Sequence, residues 1–197
     1  AARVRAMTPA EILARLDERL GVLKATDRRA ARHRTLESMV EWSYGLLPEA
    51  EQQLFRRLSI FVGSFDLPSV ERVCTDEALP GGDVLDLLDR LVDKSLVSTT
   101  VSARITRYRL METVREFAVS RLRASPDFEA VSDRHIRYFS RHAQTISDRM
   151  AGADLRRASA ALAFEIDNVD AVIDRLGRSG RHNEKSRLVR ALGLYWL

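Results

Sequence analysis

The fold is decided by the stretch from Trp42 to Arg115, which opens with the turn Trp42-Ser43-Tyr44-Gly45-Leu46-Leu47-Pro48. After Pro48, which disfavours helical geometry at the residue before it, helical spacing of apolar residues appears in three segments. The segments are residues 49–62, 67–73 and 83–93. The spacing then alternates over residues 96–100 and 104–110, which predicts two strands, and returns to a helix over 111–123. Three helices, a two-stranded wing and a fourth helix are the order of a winged helix.

The segments on either side of this stretch are also helical. Thr8-Pro9-Ala10-Glu11 predicts a helix start, because Thr can cap, Pro suits the first helical position and Glu reaches back. A polar connector over residues 24–34 and a second helix from Thr35 complete the N-terminal part. Residues 127–197 form a helical pattern that Gly177-Arg178-Ser179-Gly180 divides into a hairpin.

We therefore expect a mainly α fold of one or two compact domains. Helices precede Pro48, a winged helix with a short two-stranded β wing follows, and antiparallel helices come after Ser125-Pro126. Successive helices of this size resemble the start of a helical-repeat array.

The composition, 45% hydrophobic and 30% charged, is that of a globular chain with a buried core. No apolar run approaches the roughly 20 residues that cross a bilayer, and the N-terminus lacks an apolar signal segment. We expect a soluble, cytoplasmic protein without membrane contact. Because the chain opens without Met and stops inside an apolar helical pattern at Tyr195-Trp196-Leu197, we expect it to be part of a longer protein. Its single cysteine, Cys74, is predicted to be a buried small hydrophobe.

The third helix of the winged helix, residues 83–93, has an unusual charge for a DNA-reading helix. A helix in the major groove lies beside two phosphate backbones, so its outward face is normally basic or neutral. Here that face carries Asp83, Asp86, Asp89 and Asp93, opposed by Arg90 and Lys94. Each acid close to a phosphate costs on the order of 1 kcal/mol. The pattern disfavours direct DNA reading by this helix, while Arg104, Arg107 and Arg109 on the wing either touch a DNA backbone or form a solvated face.

The sequence contains no Gly-x-Ser-x-Gly elbow, no His-Glu-x-x-His pair and no phosphate-binding loop. His135 and His142 are seven residues apart and lack an acidic or cysteine partner at ligand spacing, so we predict surface or half-buried residues. Glu165 and Asp167 are predicted to belong to a solvated face or to repeat packing rather than to an acid–base pair. We expect no catalytic residue, no metal site and no cofactor site in this segment.

Four passages, in this order, resemble one family. They are Arg32-His33-Arg34-Thr35-Leu36 before the Trp-Ser-Tyr turn, Leu54-Phe55-Arg56-Arg57-Leu58-Ser59-Ile60-Phe61, Leu85-Asp86-Leu87-Leu88-Asp89-Arg90-Leu91-Val92-Asp93-Lys94-Ser95-Leu96, and Tyr108-Arg109-Leu110-Met111-Glu112-Thr113-Val114-Arg115-Glu116. The family is the NB-ARC or STAND class of signalling ATPases, in particular actinobacterial LuxR-type and AfsR-like regulators. The resemblance implies that residues 1–47 are the helical (ARC1-like) domain, 48–124 the winged-helix domain and 125–197 the start of a tetratricopeptide-like (TPR-like) array.

The resemblance also implies candidate contact positions. In this class the helix after the wing often starts with Met-His-Asp, whose His contacts the nucleotide phosphate. The matching positions are Leu110, Met111 and Glu112; Met cannot donate to a phosphate, and Glu112 can pair with an Arg. The alternative is that Met111 packs and Glu112 caps the helix. The resemblance implies that Met111, Glu112 and Arg115 face the nucleotide-binding domain and that Ser43 and Tyr44 lie near the interdomain hinge.

The function implied by the resemblance is a non-catalytic relay in a transcription regulator switched by ATP and ADP. ATP or ADP with Mg is expected in a nucleotide-binding domain upstream of Ala1. The expected partners are that domain, downstream helical repeats and a second copy of the protein on activation, with DNA bound only through a missing effector domain. Two alternatives remain: a winged helix that binds DNA directly, and a passive helical scaffold.

Overall fold

The structure, a computed structural model, describes residues 25–102, 105–150 and 155–193. The chain divides into two compact units, residues 1–47 and 48–197. The domain boundary that we place between residues 124 and 125 stays a prediction.

The first unit contains helix α1, Ala25–Gly45. The amides of Leu46 and Leu47 donate to the carbonyls of Ser43 and Tyr44 and end the helix. The polar connector predicted over residues 24–34 is wrong from Ala25 onward, because this Ala- and Arg-rich segment contains no Gly or Pro and favours a helix. The helix predicted from Thr8 lies outside the described residues.

The second unit begins with a winged helix and continues with three further helices. The winged helix comprises α2 (Glu49–Leu58), β1 (Ser64–Phe65), α3 (Leu67–Val73), α4 (Val84–Asp93), β2 (Ser98–Ser102), β3 (Ile105–Arg109) and α5 (Glu112–Arg123). The later helices are α6 (Phe128–Met150), α7 (Leu155–Arg178) and α8 (His182–Ala191). This element order confirms the predicted mainly α fold with a winged helix followed by helices.

The starts of α3 and α4 differ in how they are capped. Asp66 accepts from the Ser69 amide at 3.0 Å and Ser69 reaches back to the Asp66 amide, which is a complete capping box. Asp83 occupies the N-cap position of α4 after the 3-10 turn Gly81–Asp83, and its side chain makes no capping hydrogen bond. The carboxylate of Asp83 therefore remains on the surface.

The sheet has three antiparallel strands in the order β1-β3-β2, one more than predicted. Ser64 pairs with Arg109 and Phe65 with Tyr108, while β2 and β3 form the wing hairpin. Residues 63–66 lie between two predicted helical segments, and the sequence predicts no strand there. Gly63 does turn the chain, with φ +75, but a two-residue strand is too short to show alternation in the sequence.

The core of the second unit is built from the inward faces of these helices and the sheet. On α4 the buried residues are Val84, Leu87, Leu88 and Leu91. Phe61 stacks on Phe65 with ring centroids 4.6 Å apart. Cys74 is fully buried, as predicted, and burial raises the pKa of its thiol to about 12. Among the described helices, none is both long and apolar enough to cross a membrane.

Helices α6 and α7 run antiparallel. The Arg175 guanidinium near the end of α7 lies 5.9 Å from the ring of Phe128 at the start of α6. Gly180, with φ +71, turns the chain between α7 and α8. The predicted hairpin division at residues 177–180 therefore coincides with the end of α7 at Arg178.

Candidate functional site

The outward face of α4 carries the acids that the sequence placed there. Asp83, Asp86, Asp89 and Asp93 are all exposed. Leu85 lies among them with 45% of its surface exposed. The helix presents this face because the opposite side supplies four buried apolar residues to the core.

Arg90 of this helix and Lys94, its C-cap residue, are directed to a carboxylate on α2. Lys94 Nζ donates to Glu51 Oε2, and Arg90 Nη1 lies 3.9 Å from Glu51 Oε1. Only 1% of Glu51 is exposed, so these cations compensate a buried charge that would otherwise be costly. As a result, the aspartates are opposed by less positive charge than the sequence suggested. Sequence reasoning missed Glu51, because an acid in the first turn of a helix normally faces solvent.

The wing arginines do not form a row of exposed cations. Arg107 is only 7% exposed. Both predictions for it, a contact with DNA and a solvated side chain, are therefore wrong. Its Nη1 donates to Glu165 on α7, and its Nη2 donates to the carbonyls of Ser64 and Phe164, each at 2.9 Å. Arg109 is exposed, and Arg104 lies outside the described residues.

The position of Arg107 follows from the sheet. Successive side chains of a strand point to opposite faces, and here both faces of β3 are covered. Tyr108 packs toward Phe65 with ring centroids 6.1 Å apart, on the side of the winged-helix core. Arg107 therefore points the other way, toward α7. Glu165 is correspondingly buried, which excludes a solvated face; its other predicted setting, repeat packing, stays a prediction.

A second charged contact fixes the start of α6 to the winged helix. Arg57 on α2 is almost fully buried and lies 2.7 Å from Asp76 and 3.1 Å from Asp127. It also donates to the Cys74 carbonyl at 2.7 Å. Burial opposes the charged guanidinium, but the hydrogen bonds to Asp76 and Asp127 raise the Arg57 pKa above its usual value.

The loop before β1 is held by α7. Asn168 accepts from the Val62 amide at 2.8 Å and donates to the Ser64 carbonyl at 3.0 Å. Gly63 has φ +75, and a Cβ there would approach Asp167 Oδ2 to 2.3 Å, so any other residue would strain the backbone and displace the Asp167 side chain. Together with Arg57 and Arg107, these contacts hold the winged helix and the following helices as one body.

The positions predicted to face a nucleotide-binding domain lie at the start of α5. Met111 is 49% exposed, so it does not pack in the core. Glu112 is exposed and accepts from Arg115 at 2.9 Å, and this hydrogen bond lowers the Glu112 pKa. Arg115 also lines a cleft of about 390 Å³ with Asp167 and Asp170 of α7. This surface is open to a partner, and the nucleotide-facing role stays a prediction.

The predicted hinge residues belong to the unit of residues 1–47. Ser43 and Tyr44 are half-buried, and their carbonyls accept the hydrogen bonds that end α1. Their hinge role also stays a prediction.

The two α6 histidines have different surroundings. His135 is fully buried against Phe139, with ring centroids 4.7 Å apart, so its prediction as a surface or half-buried residue is wrong. Burial, helped by the charge of Arg175, lowers the His135 pKa to about 3. His142 is half-buried and stacks on Tyr138. Within residues 25–102, 105–150 and 155–193, no group of His, Cys, Asp and Glu is arranged to hold a metal ion.

The central part of the chain matches a known domain family. Residues 47–123 match the winged helix-turn-helix domain model. This match covers α2 to α5, including the acidic face of α4. No solved structure matches the chain.

Similar sequences occur in longer mycobacterial proteins. The whole chain is 41% identical to the protein named “Putative HTH-type transcriptional regulator Rv0890c” of Mycobacterium tuberculosis and equally to “Putative HTH-type transcriptional regulator Mb0914c” of Mycobacterium bovis. The chain spans 22% of the length of each of these relatives. A further match, 34% identical over 148 residues, covers 38% of “Uncharacterized protein Rv0894” of Mycobacterium tuberculosis. The chain thus carries a winged helix-turn-helix domain and is homologous to a segment of proteins named as transcriptional regulators.

Proposed function

We propose that this chain is the non-catalytic relay segment of a cytoplasmic, STAND-type transcription regulator. In this proposal the winged helix contacts an upstream nucleotide-binding domain, and the later helices begin a TPR-like sensor array. ATP or ADP with Mg binds in the upstream domain, and DNA is bound by a separate effector domain. Signal binding to the array shifts the protein from a closed ADP arrangement to an open one that can self-associate.

The observation that carries the proposal is the charge of the α4 face. Four exposed aspartates line the surface that a DNA-reading winged helix would present to a groove, and both cations of the helix contact Glu51. Approaching a phosphate backbone would be unfavourable for such a surface, whereas a basic protein surface would complement it. The exposed Met111 beside the Glu112–Arg115 pair supplies a second surface suited to a protein partner.

The relay is tested on the whole regulator by hydrogen exchange in saturating ADP and in a non-hydrolysable ATP analogue. We expect amide protection at the exposed face of α4 and at residues 111–115 to differ between the two states. The charge reversal Asp89→Lys should abolish this difference. Asp148→Lys, which reverses an exposed aspartate of α6 away from both surfaces, is the matched control and should retain it. Identical protection in both nucleotides would contradict the relay.

The competing function is direct DNA binding by the winged helix. The domain match favours it, because winged helix-turn-helix domains commonly bind DNA, and the exposed Arg109 on β3 could contact a backbone. A gel-shift titration at low salt separates the two functions. Salt-sensitive duplex binding that is lost on replacing Arg104 and Arg109 would favour the competitor. Arg107 is unsuitable for this test because it is buried against α7.

A further inference from the structure

A basic pocket lies where α3 meets the outward side of α6. Arg137 and Arg141 are exposed and one turn apart on α6, and the exposed Arg72 of α3 lines the same pocket of about 580 Å³. The rings of Tyr138 and His142 line it as well. They are stacked with centroids 5.8 Å apart and planes 8° apart.

No carboxylate lines this pocket, and the nearby acids Asp66 and Glu165 act on Tyr138 through their charge. Arg134, at its inner edge, is engaged by the Val73 carbonyl at 2.7 Å and by Asp76 at 3.6 Å. In the part of the chain that the structure describes, Arg72, Arg137 and Arg141 form no ion pair with an acid, and Arg137 Nε donates to the Asp133 carbonyl at 3.4 Å. This differs from Arg57, Arg107 and Arg181, each of which pairs with at least one carboxylate.

The three guanidinium groups line one concavity that has no carboxylate in its lining. They repel one another there, and an anion bound between them is favoured. The planar fork of Arg matches phosphate oxygens bidentately, which Lys does not do. Burial raises the Tyr138 pKa to about 12, so the phenol adds no negative charge at neutral pH.

We propose that this pocket binds a phosphate-bearing small molecule, with its phosphate held by Arg72, Arg137 and Arg141. The volume falls within the range of roughly 300–1,000 Å³ that is usual for small-molecule sites. Arg72 lies on α3 and the other two cations lie on α6, so two helices supply the charge that lines this one concavity. Because α3 and α6 both contribute, the ligand would join the winged helix to the helices that follow it.

The proposal is tested by isothermal titration of the 197-residue chain with inorganic pyrophosphate in buffer of constant ionic strength. We expect saturable binding by the unaltered chain. Arg72→Gln, Arg137→Gln and Arg141→Gln should each weaken it by about fivefold or more, as loss of a charge-assisted hydrogen bond implies. Arg187→Gln removes the same charge from an exposed position on α8 and should leave binding unchanged. Circular dichroism should show all four variants folded, since these arginines are exposed.

Two results would overturn the proposal. The first is an absence of saturable pyrophosphate binding, or weakening that is equal in Arg187→Gln and the pocket variants. The second concerns a 20-base-pair duplex used as a parallel probe. If the pocket variants lose duplex binding and pyrophosphate does not compete with the duplex, the surface serves a nucleic-acid backbone instead.

Discussion

The face of α4 and the pocket between α3 and α6 belong to the same compact unit, yet they carry opposite charge. On α4 the aspartates are exposed, and the cations Arg90 and Lys94 contact Glu51. On α6 the reverse holds: Arg137 and Arg141 are exposed, while the neighbouring acid Asp133 pairs with Arg181 at 2.7 Å.

The difference shows that internal pairing, rather than composition, decides the charge of each surface. The chain has a net charge of +4, and both helices contain acids and bases. A positive net charge of the chain therefore does not make the outward face of α4 suitable for DNA. Likewise, the acidic face of α4 does not make the whole unit acidic.

The acidic face and the basic pocket belong to one rigid body only if the winged helix is fixed to the helices that follow it. A substitution of Arg107 tests this directly. Arg107→Met removes the cation that pairs with buried Glu165. We expect the free energy of unfolding to fall by about 3–5 kcal/mol, the usual cost of leaving a buried charge unpaired. Urea denaturation followed by circular dichroism measures the change.

Arg109→Met is the matched control for this substitution, because it removes an exposed arginine from the same strand. It should change the stability by less than about 0.5 kcal/mol. The double variant Arg107→Met/Glu165→Met should recover much of the loss. If Arg107→Met and Arg109→Met lowered the free energy of unfolding equally, α7 would not be fixed to the sheet through Arg107.

A second test concerns the inner side of α6, where His135 is buried with a pKa of about 3. Between that value and the ordinary pKa of about 6.5, the unfolded chain binds a proton that the folded chain excludes, so stability falls as the pH is lowered. We expect a slope of up to about 1.4 kcal/mol per pH unit from this residue between roughly pH 6 and 4.5. Denaturant titrations at several pH values measure it.

His135→Leu removes the titrating group and should flatten this dependence in the same window. His182, exposed at the start of α8, provides the control His182→Leu, which should keep the slope. A slope that persists unchanged in His135→Leu would assign the pH dependence to other groups.

The smallest expected effect is that of Glu51→Gln, which releases the two cations of α4. Because Arg90 and Lys94 are largely exposed, the stability should change by less than about 1 kcal/mol. The affinity for duplex DNA at low salt should rise by about threefold, since the α4 face becomes less acidic. Glu77→Gln removes the same charge from an exposed position outside α4 and should have less effect on DNA binding. Equal effects of the two variants would contradict the role of Glu51.

The parts of the fold that could be predicted from the sequence are those with a repeated local pattern. The apolar spacing of α4 and the alternation of the wing each extend over several residues, so periodicity located them. Strand β1 has only two residues and forms because Arg109 and Tyr108 lie opposite, which is a long-range pairing. The helix start at Ala25 is not visible as a periodic pattern, because residues 25–34 carry no large apolar side chain and only their helix propensity favours a helix.

For the candidate surfaces, too, local patterns could be predicted from the sequence and long-range contacts could not. The acidic face was visible in the sequence, because it depends on the spacing of four aspartates along one helix. The burial of Glu51, Arg107 and His135 was not visible, since each is enclosed by an element distant in the chain. The basic pocket was missed for the same reason, because Arg72 joins the α6 arginines only through the packing of α3 on α6.

The most direct measurement is a fluorescence-anisotropy titration of a mixed-sequence duplex with the 197-residue chain at low salt. If the aspartates keep α4 out of the groove, binding should be no tighter than the usual non-specific range of about 10⁻⁴–10⁻⁶ M. Replacing Asp86, Asp89 and Asp93 together by Asn should strengthen it by about tenfold or more. Submicromolar binding by the unaltered chain that is lost when Leu85 and Arg90 on the same face are replaced by Ala would contradict this, because α4 would then be reading DNA.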